Sequence, residues 1–195
     1  MVQVEEEILK TIEKALEDVK AGRVYSTSLN KFMLANRLFM RISEQIFPRV
    51  VCLIATVDKQ GKPNVMTASF LMPVSFEPKY VAFAISPRRY SFENLKAVKE
   101  FSLNVCSREM EEIAWICGSH SGSEADKFKL ARITPEKSDM IRPPVIKECP
   151  ISFECKVEEM KLFGDHWLVV GRVLKEHVRN EQFKPLMHKS GKEFF

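Results

Sequence analysis

The chain has 195 residues, 45% of them apolar and 29% charged, which is enough for one domain-sized core with or without an extension. Its frequent apolar runs exclude a disordered chain, and no stretch approaches the ~18 uncharged apolar residues that a membrane span needs. Thirty lysines and arginines stand against 26 acidic residues, a net charge of +4 with both signs interspersed. No basic block marks a nucleic-acid binder, and a small positive excess better suits an anionic small molecule.

The start carries Glu5, Glu6 and Glu7 where a signal peptide would carry positive charge and an apolar run, so the expected location is the cytoplasm. Residues 2–21 predict an amphipathic helix, because Ile8, Ile12, Ala15, Leu16 and Val19 recur at three and four. A second helix is expected over about 29–45, ending before Pro48. Residues 1–47 thus read as an N-terminal helical arm and 48–195 as the main domain. The arm either packs on its own domain or meets a second subunit.

After Pro48 the period changes. Residues 50–57 (VVCLIATV) predict a buried strand, and 58–62 a polar hairpin turn with Gly61 near its end. Strands follow over 64–70, 80–86 and 101–106, with a short helix over 92–99 between the last two. Residues 108–117 and 123–130 predict two short helices, with Ser123 and Asp126 as a capping pair for the second. Residues 151–162 alternate well, Gly164-Asp165-His166 turns the chain, and 167–178 returns. Strands joined by hairpins, with helices inserted, predict a mainly β, closed or partly closed antiparallel barrel. The chain contains no Gly-x-Gly-x-x-Gly, no Gly-x-Ser-x-Gly and no Walker loop.

The five cysteines, at 52, 106, 117, 149 and 155, contain no Cys-x-x-Cys and are expected to be buried thiols. The four histidines, at 120, 166, 177 and 188, show no paired spacing, so no metal site is expected. Ser86-Pro87-Arg88-Arg89-Tyr90-Ser91 leaves a strand and enters a helix. Free backbone N–H groups, the positive helix end and two guanidinium groups there make a phosphate grip. Ser91 either caps that helix or donates to the phosphate; a capped helix with two solvated arginines is the plainer alternative. In residues 64–70, Thr67, Ala68 and Ser69 interrupt an apolar strand with side chains small enough for a flat ligand to approach the backbone. A tight barrel corner would use the same residues. Residues 117–128 form a Gly/Ser loop feeding a helix, which either covers a site or connects.

The order of these segments resembles a known family. Gly61-Lys62-Pro63-Asn64-Val65-Met66-Thr67-Ala68-Ser69, then residues 73–78 (PVSFEP) and 99–105 (KEFSLNV), are followed by Gly118-Ser119-His120-Ser121-Gly122 with Asp126-Lys127-Phe128, and by Gly164-Asp165-His166. From Pro48 onward the chain resembles the flavin-reductase-like FMN-binding split-barrel family, in its flavoredoxin-like branch. The resemblance implies a six-stranded antiparallel split barrel working as a homodimer, with FMN at the subunit interface. It also implies electron flow from NADH or NADPH through FMN to a second acceptor; a flavin-holding electron carrier without nicotinamide turnover is the alternative. By the same likeness Met66, Thr67, Ala68 and Ser69 would line the isoalloxazine and ribityl chain. Ser86, Arg88, Tyr90 and Ser91 would lie along the phosphate. Lys127 would approach the flavin from the Gly/Ser loop, and His166 would sit on the nicotinamide or substrate side. Lys79 stands where a second proline is common, and the tail around Gly191 lacks an expected tyrosine.

Overall fold

The structure is a computed structural model that describes residues 42–195 together with Lys10, Glu13, Lys14 and Glu17. Those four residues are helical and exposed. The rest of the helix expected over 2–21, and the expected helix over 29–45 up to residue 41, lie outside the described residues. The chain divides into two compact units, Met1–Ile46 and Phe47–Phe195. In the first, a single turn α1 (Ile42–Gln45) is described. No helix among the described residues is long and apolar enough to cross a membrane.

The second unit is built on a seven-stranded sheet in which every pairing is antiparallel. After a short β1 (Arg49–Val50) come β2 (Cys52–Val57), β3 (Pro63–Ala68), β4 (Leu71–Phe76), β5 (Lys79–Ile85) and β6 (Glu100–Val105). Two short strands in the proline-bearing loop, β7 (Pro135–Glu136) and β8 (Val145–Ile146), pair with each other. The long hairpin β9 (Ile151–Phe163) and β10 (His166–Val178) follows, and β11 (Met187–Ser190) and β12 (Glu193–Phe194) end the chain. The order across the main sheet is β3-β2-β6-β9-β10-β5-β4.

The main sheet has one strand more than the six that the resemblance implies. The chain does not turn directly from Ala68 to Tyr80; it folds a further hairpin, β4 with β5. Pro73 lacks a ladder donor and sits in β4, which is an edge strand where such a residue is tolerated. The tail is also stranded: β11 pairs with β1, Arg49 opposite His188, across about three quarters of the chain.

Two apolar clusters flank β2, whose residues are buried on both faces. Ile54, Met66, Phe83, Phe101 and Val169 fill the barrel side, where Phe83 meets Phe101 edge to face at 5.1 Å. Leu53, Val65, Ala114, Cys117 and Phe128 fill the other side, beneath two helices, α3 (Glu111–Ser119) and α4 (Lys127–Leu130). Gly171 belongs to the first cluster's packing: a Cβ there would lie 2.4 Å from the Phe101 ring. A three-residue 3-10 turn, Arg108–Met110, precedes α3.

The helix α2 (Tyr90–Val98) caps the barrel. Its buried residues, Ser91, Phe92, Asn94, Leu95 and Val98, form one stripe at helical spacing. Lys99, in the left-handed region at φ 61°, ends it and turns the chain into β6. Asn94 Nδ2 donates to Thr56 Oγ1 of β2 at 3.1 Å, which pegs the helix to the sheet. The helix expected over 123–130 is shorter than its pattern suggests. It begins at Lys127, with Asp126 alone as the cap accepting from the Lys129 amide. Ser123 instead bonds Ser121 at 2.7 Å, a local turn that competes with helix in a Ser/Gly-rich segment.

Candidate functional site

Strand β3 is one outer edge of the main sheet, so its outward backbone groups have no ladder partner within that sheet. A cavity of about 190 Å³ lies along this edge. Asn64, Met66 and Thr67 of β3 form its floor. Residues Arg88, Arg89, Tyr90 and Ser91, where the chain enters α2, form one wall. The end of α3 and the loop after it, residues 117–122, form the other, with Glu124 and Lys127 closing it.

The first turn of α2 opens here, and no side chain caps it. Arg89 is the N-cap residue, and the backbone before it turns by Arg89 N–H donating to the Ser86 carbonyl at 3.1 Å. Ser91 is therefore inside the helix and is not its cap. Its hydroxyl is almost wholly buried and accepts from Asn64 Nδ2 at 2.7 Å. Helix amides without partners, the positive helix end and two guanidinium groups together favour an anion.

Lys127 is buried, and its Nζ donates to the Cys117 carbonyl at 3.1 Å. Burial lowers its pKa to about 8, with a smaller opposing pull from Cys117 and a smaller push in the same direction from Arg89. At neutral pH it therefore adds a third positive charge to the cavity, where Glu124 is the only carboxylate among the lining residues. Cys117 also lines the cavity, but burial raises its thiol to about 12, with Lys127 opposing, so it stays protonated. All five cysteines are free and buried.

The two loop glycines permit close approach. A Cβ at Gly122 would lie 2.2 Å from Asn64 Oδ1 and 2.8 Å from Tyr90 Cδ1. At Gly118 it would lie 3.3 Å from the Cβ of Thr67, whose hydroxyl donates to the Ala114 carbonyl at 2.6 Å.

Of the residues singled out from the sequence, Met66, Thr67, Arg88, Tyr90, Ser91 and Lys127 meet at this cavity. Ala68 is buried in the barrel core. Ser69 bonds His188 Nδ1 at 3.1 Å, and Ser86 shapes the turn into α2, its Oγ accepting from the Arg88 amide at 3.4 Å. His166 starts β10, pairs with Asp165 at 2.8 Å and lies 6.0 Å from the Phe70 ring; contrary to expectation, it does not line the cavity. Arg89, the second guanidinium of the expected phosphate grip, lines the cavity as well, whereas Asn64 and His120 were not expected as site residues.

A second polar cluster has no counterpart in the sequence reading. Asp139, Glu154 and His177 bring one ligand-type atom each within 4.8 Å of one another. Burial alone would raise the Glu154 carboxyl. The Asp139 and Met140 amides, at 2.9 and 2.6 Å, and His177 Nε2, at 2.6 Å, hold it below its ordinary value instead. Asp139 is itself paired with Lys175. The cluster clamps the loop after β7 onto the β9–β10 hairpin.

The model of the flavin reductase like domain matches residues 43–194. The chain belongs to the flavin-reductase-like family. Its fold matches solved structures of that kind. A Shewanella frigidimarina protein, assigned as a flavin reductase with a split barrel domain, is 18% identical, with a TM-score of 0.73 over 79% of this chain and 84% of its own. The flavoredoxin of Desulfovibrio vulgaris is 20% identical, with a TM-score of 0.69 over 77% and 87%. The FMN-binding protein of Thermus thermophilus is 23% identical, with a TM-score of 0.70 over 78% and 88%. The family member described here is thus a mainly β split barrel with helical additions, tied to flavin-related redox chemistry.

Proposed function

We propose that this flavin-reductase-like protein is an FMN-dependent oxidoreductase that takes electrons from NADH or NADPH and delivers them to a second acceptor. The observation that carries this reading is the cavity on the free edge of β3, which joins an uncapped helix start, three cationic side chains and two glycines at close approach. These residues fit a flavin phosphate: Arg88, Arg89 and Ser91 would hold the phosphate, and Lys127 would add charge from the opposite wall. Met66 and Thr67 would pack along the ribityl chain and ring. Bound FMN supplies the redox chemistry; the protein supplies position, charge and exclusion of water. The anaerobic test is direct. The purified protein should be yellow, and NADH or NADPH should bleach it. A protein that binds no flavin would overturn the reading, and one bleached by dithionite but by neither nicotinamide would be the carrier instead.

The cavity, at about 190 Å³, is smaller than the ~300–1,000 Å³ usual for such ligands, so one protomer makes part of a site. Support for a second copy comes from the other edge of the sheet. Met72, Val74 and Phe76 of β4 are exposed, Phe76 by 93%, with Phe70, Leu162 and Phe163 exposed as well. An apolar edge strand of this kind is normally covered. We infer a homodimer in which this face is buried and His166, beside Phe70, serves the flavin across the interface by orienting the nicotinamide. Sedimentation should give a dimer at micromolar concentration. His166→Ala should keep FMN and dimer but slow bleaching by NAD(P)H about tenfold, mainly through weaker nicotinamide use, with dithionite reduction unchanged. A monomer that keeps FMN, or an unaltered bleaching rate, would overturn this arrangement.

Lys127 gives the site a pH dependence. Its ammonium is present at pH 7 and lost above about 8, so FMN affinity should fall as pH rises through that value. Stability should move the other way. The unfolded lysine holds its proton to higher pH than the folded one, so this group makes folding more favourable as pH rises from about 8 toward its ordinary value. Lys127→Met should flatten the affinity profile measured by flavin fluorescence quenching; a profile with the same slope would remove Lys127 from the site.

A further inference from the structure

The geometry points to Asn64 as the residue that decides which way the phosphate end of this cavity is polarised: its amide holds the Ser91 hydroxyl as a hydrogen-bond donor toward a bound phosphate monoester. The inference rests on the flavin reading of the cavity and goes beyond it by assigning a positioning residue. Asn64 and Ser91 both line the cavity and are both buried, 4% and 1% exposed. The bond between them runs one way. Asn64 Nδ2 donates to Ser91 Oγ at 2.7 Å, and an amide nitrogen has no lone pair to offer in return. The Ser91 oxygen is thereby committed as acceptor, and its single proton must point elsewhere. Ser91 lies in the first turn of α2, where the unpaired amides and the positive helix end face the same cavity as Arg88 and Arg89. An anion there gains a charge-assisted bond from the hydroxyl. A hydroxyl turned inward would present lone pairs to it instead.

The amide itself has little freedom. On one side it meets Ser91; on the other, the loop after α3 packs so closely that a Cβ at Gly122 would lie 2.2 Å from Asn64 Oδ1. Its backbone is fixed by the pairing of β3 with β2, Asn64 opposite Thr56. The neighbouring Asn94 supplies a contrast. Its Nδ2 also bonds a hydroxyl between α2 and the sheet, that of Thr56 at 3.1 Å, but neither residue lines the cavity. Asn94 holds the helix, whereas Asn64 orients a group that faces the ligand.

The test compares dissociation constants for FMN and riboflavin, which differ by the phosphate, on the full chain. In Asn64→Asp the carboxylate can only accept, so Ser91 turns its proton inward. FMN should weaken by about tenfold or more relative to riboflavin, the size of one hydrogen bond to a charged group. Because that variant also adds a negative charge, the neutral Asn64→Ser is the second arm; its shorter side chain releases Ser91, and the FMN preference should fall several-fold. Ser91→Ala should lower the preference by about tenfold, and Asn64→Ser combined with Ser91→Ala should be no worse than Ser91→Ala alone. Asn94→Ser should lower the melting temperature and leave the preference unchanged. If Asn64→Ser alters FMN and riboflavin equally, or if the two substitutions multiply independently, Asn64 does not act through Ser91 and the inference falls. If the unaltered protein shows no preference for FMN over riboflavin, it is the phosphate reading of the cavity that fails.

Discussion

Replacing Arg88 and Ser91 together with alanine should weaken FMN by about two orders of magnitude while riboflavin weakens less than about threefold. Each hydrogen bond to a charged group is worth roughly 1.5–3 kcal/mol, or about tenfold and upward in affinity. Ser91 is buried, so its bond is made in a dry environment and belongs in that range. Arg88 is exposed and lies at the lower end, because solvent competes for its guanidinium. Arg89 and Lys127 remain in the double variant, so binding should drop without disappearing. The fold should survive. Ser91 is not the helix cap, and the turn into α2 is held by backbone and by Ser86, which the substitutions leave alone. Titration of both flavins by fluorescence quenching reads the result. Equal weakening of FMN and riboflavin would place these residues against the ring end and move the phosphate elsewhere.

The parts of the fold that sequence made legible are those whose residue types follow a local pattern, even where burial does not: in β9 the polar Ser152 and Glu154 are fully buried and Ile151 and Phe153 half-buried. The β9 segment alternates Ile151, Phe153, Cys155 and Val157 against polar neighbours, and β2 is an unbroken β-branched and apolar run; both are strands as expected. β4 was not legible. It is an edge strand interrupted by Pro73, it exposes Met72, Val74 and Phe76, and it therefore has no buried face to impose a pattern. The tail strand β11 owes its existence to β1, a partner more than 130 residues away, and no local signal encodes that pairing. At the site, Arg88 and Ser91 could be named because a strand-to-helix junction carries recognisable chemistry, whereas Lys127 was reached only through the family resemblance of the Gly/Ser loop before it. The role of Asn64 depends on a bond to Ser91, 27 residues on, and on a glycine loop folding back across both. Ser69 and Ala68 looked equivalent to Thr67 along the strand. The end of β3 at Ala68 separates them: Thr67 faces the cavity, while Ala68 turns into the core and Ser69 leaves toward His188.

Gly122→Ala should cost FMN on the order of tenfold or more in affinity, although it adds one methyl group to a surface loop. A Cβ at this position would lie 2.2 Å from Asn64 Oδ1, 2.7 Å from Asn64 Cγ and 2.8 Å from Tyr90 Cδ1, all closer than real contacts allow. Something must move, and the candidates are unequal. Asn64 is short, buried and bonded to Ser91, so it cannot swing aside without giving up that bond. Tyr90 opens α2 and is half-buried. The loop is the softest of the three, and its retreat would widen the cavity on the wall opposite the arginines. Either response damages the site: the first releases the Ser91 hydroxyl, the second lets water reach it. Overpacking in a rigid core costs about 1–3 kcal/mol, but a loop that yields should keep the stability loss below that range. Binding should therefore suffer more than melting temperature. Gly118→Ala provides the graded comparison, since its Cβ would stand 3.3 Å from that of Thr67 and needs a shift of only a few tenths of an ångström. Its effect on FMN should be a few-fold at most. Gly61→Ala provides the opposite contrast. At φ +87° it is strained, but its Cβ would meet nothing, so it should lower stability and leave FMN affinity intact. A Gly122→Ala protein that binds FMN as the unaltered chain does would show that the loop stands away from Asn64 whenever the flavin is bound.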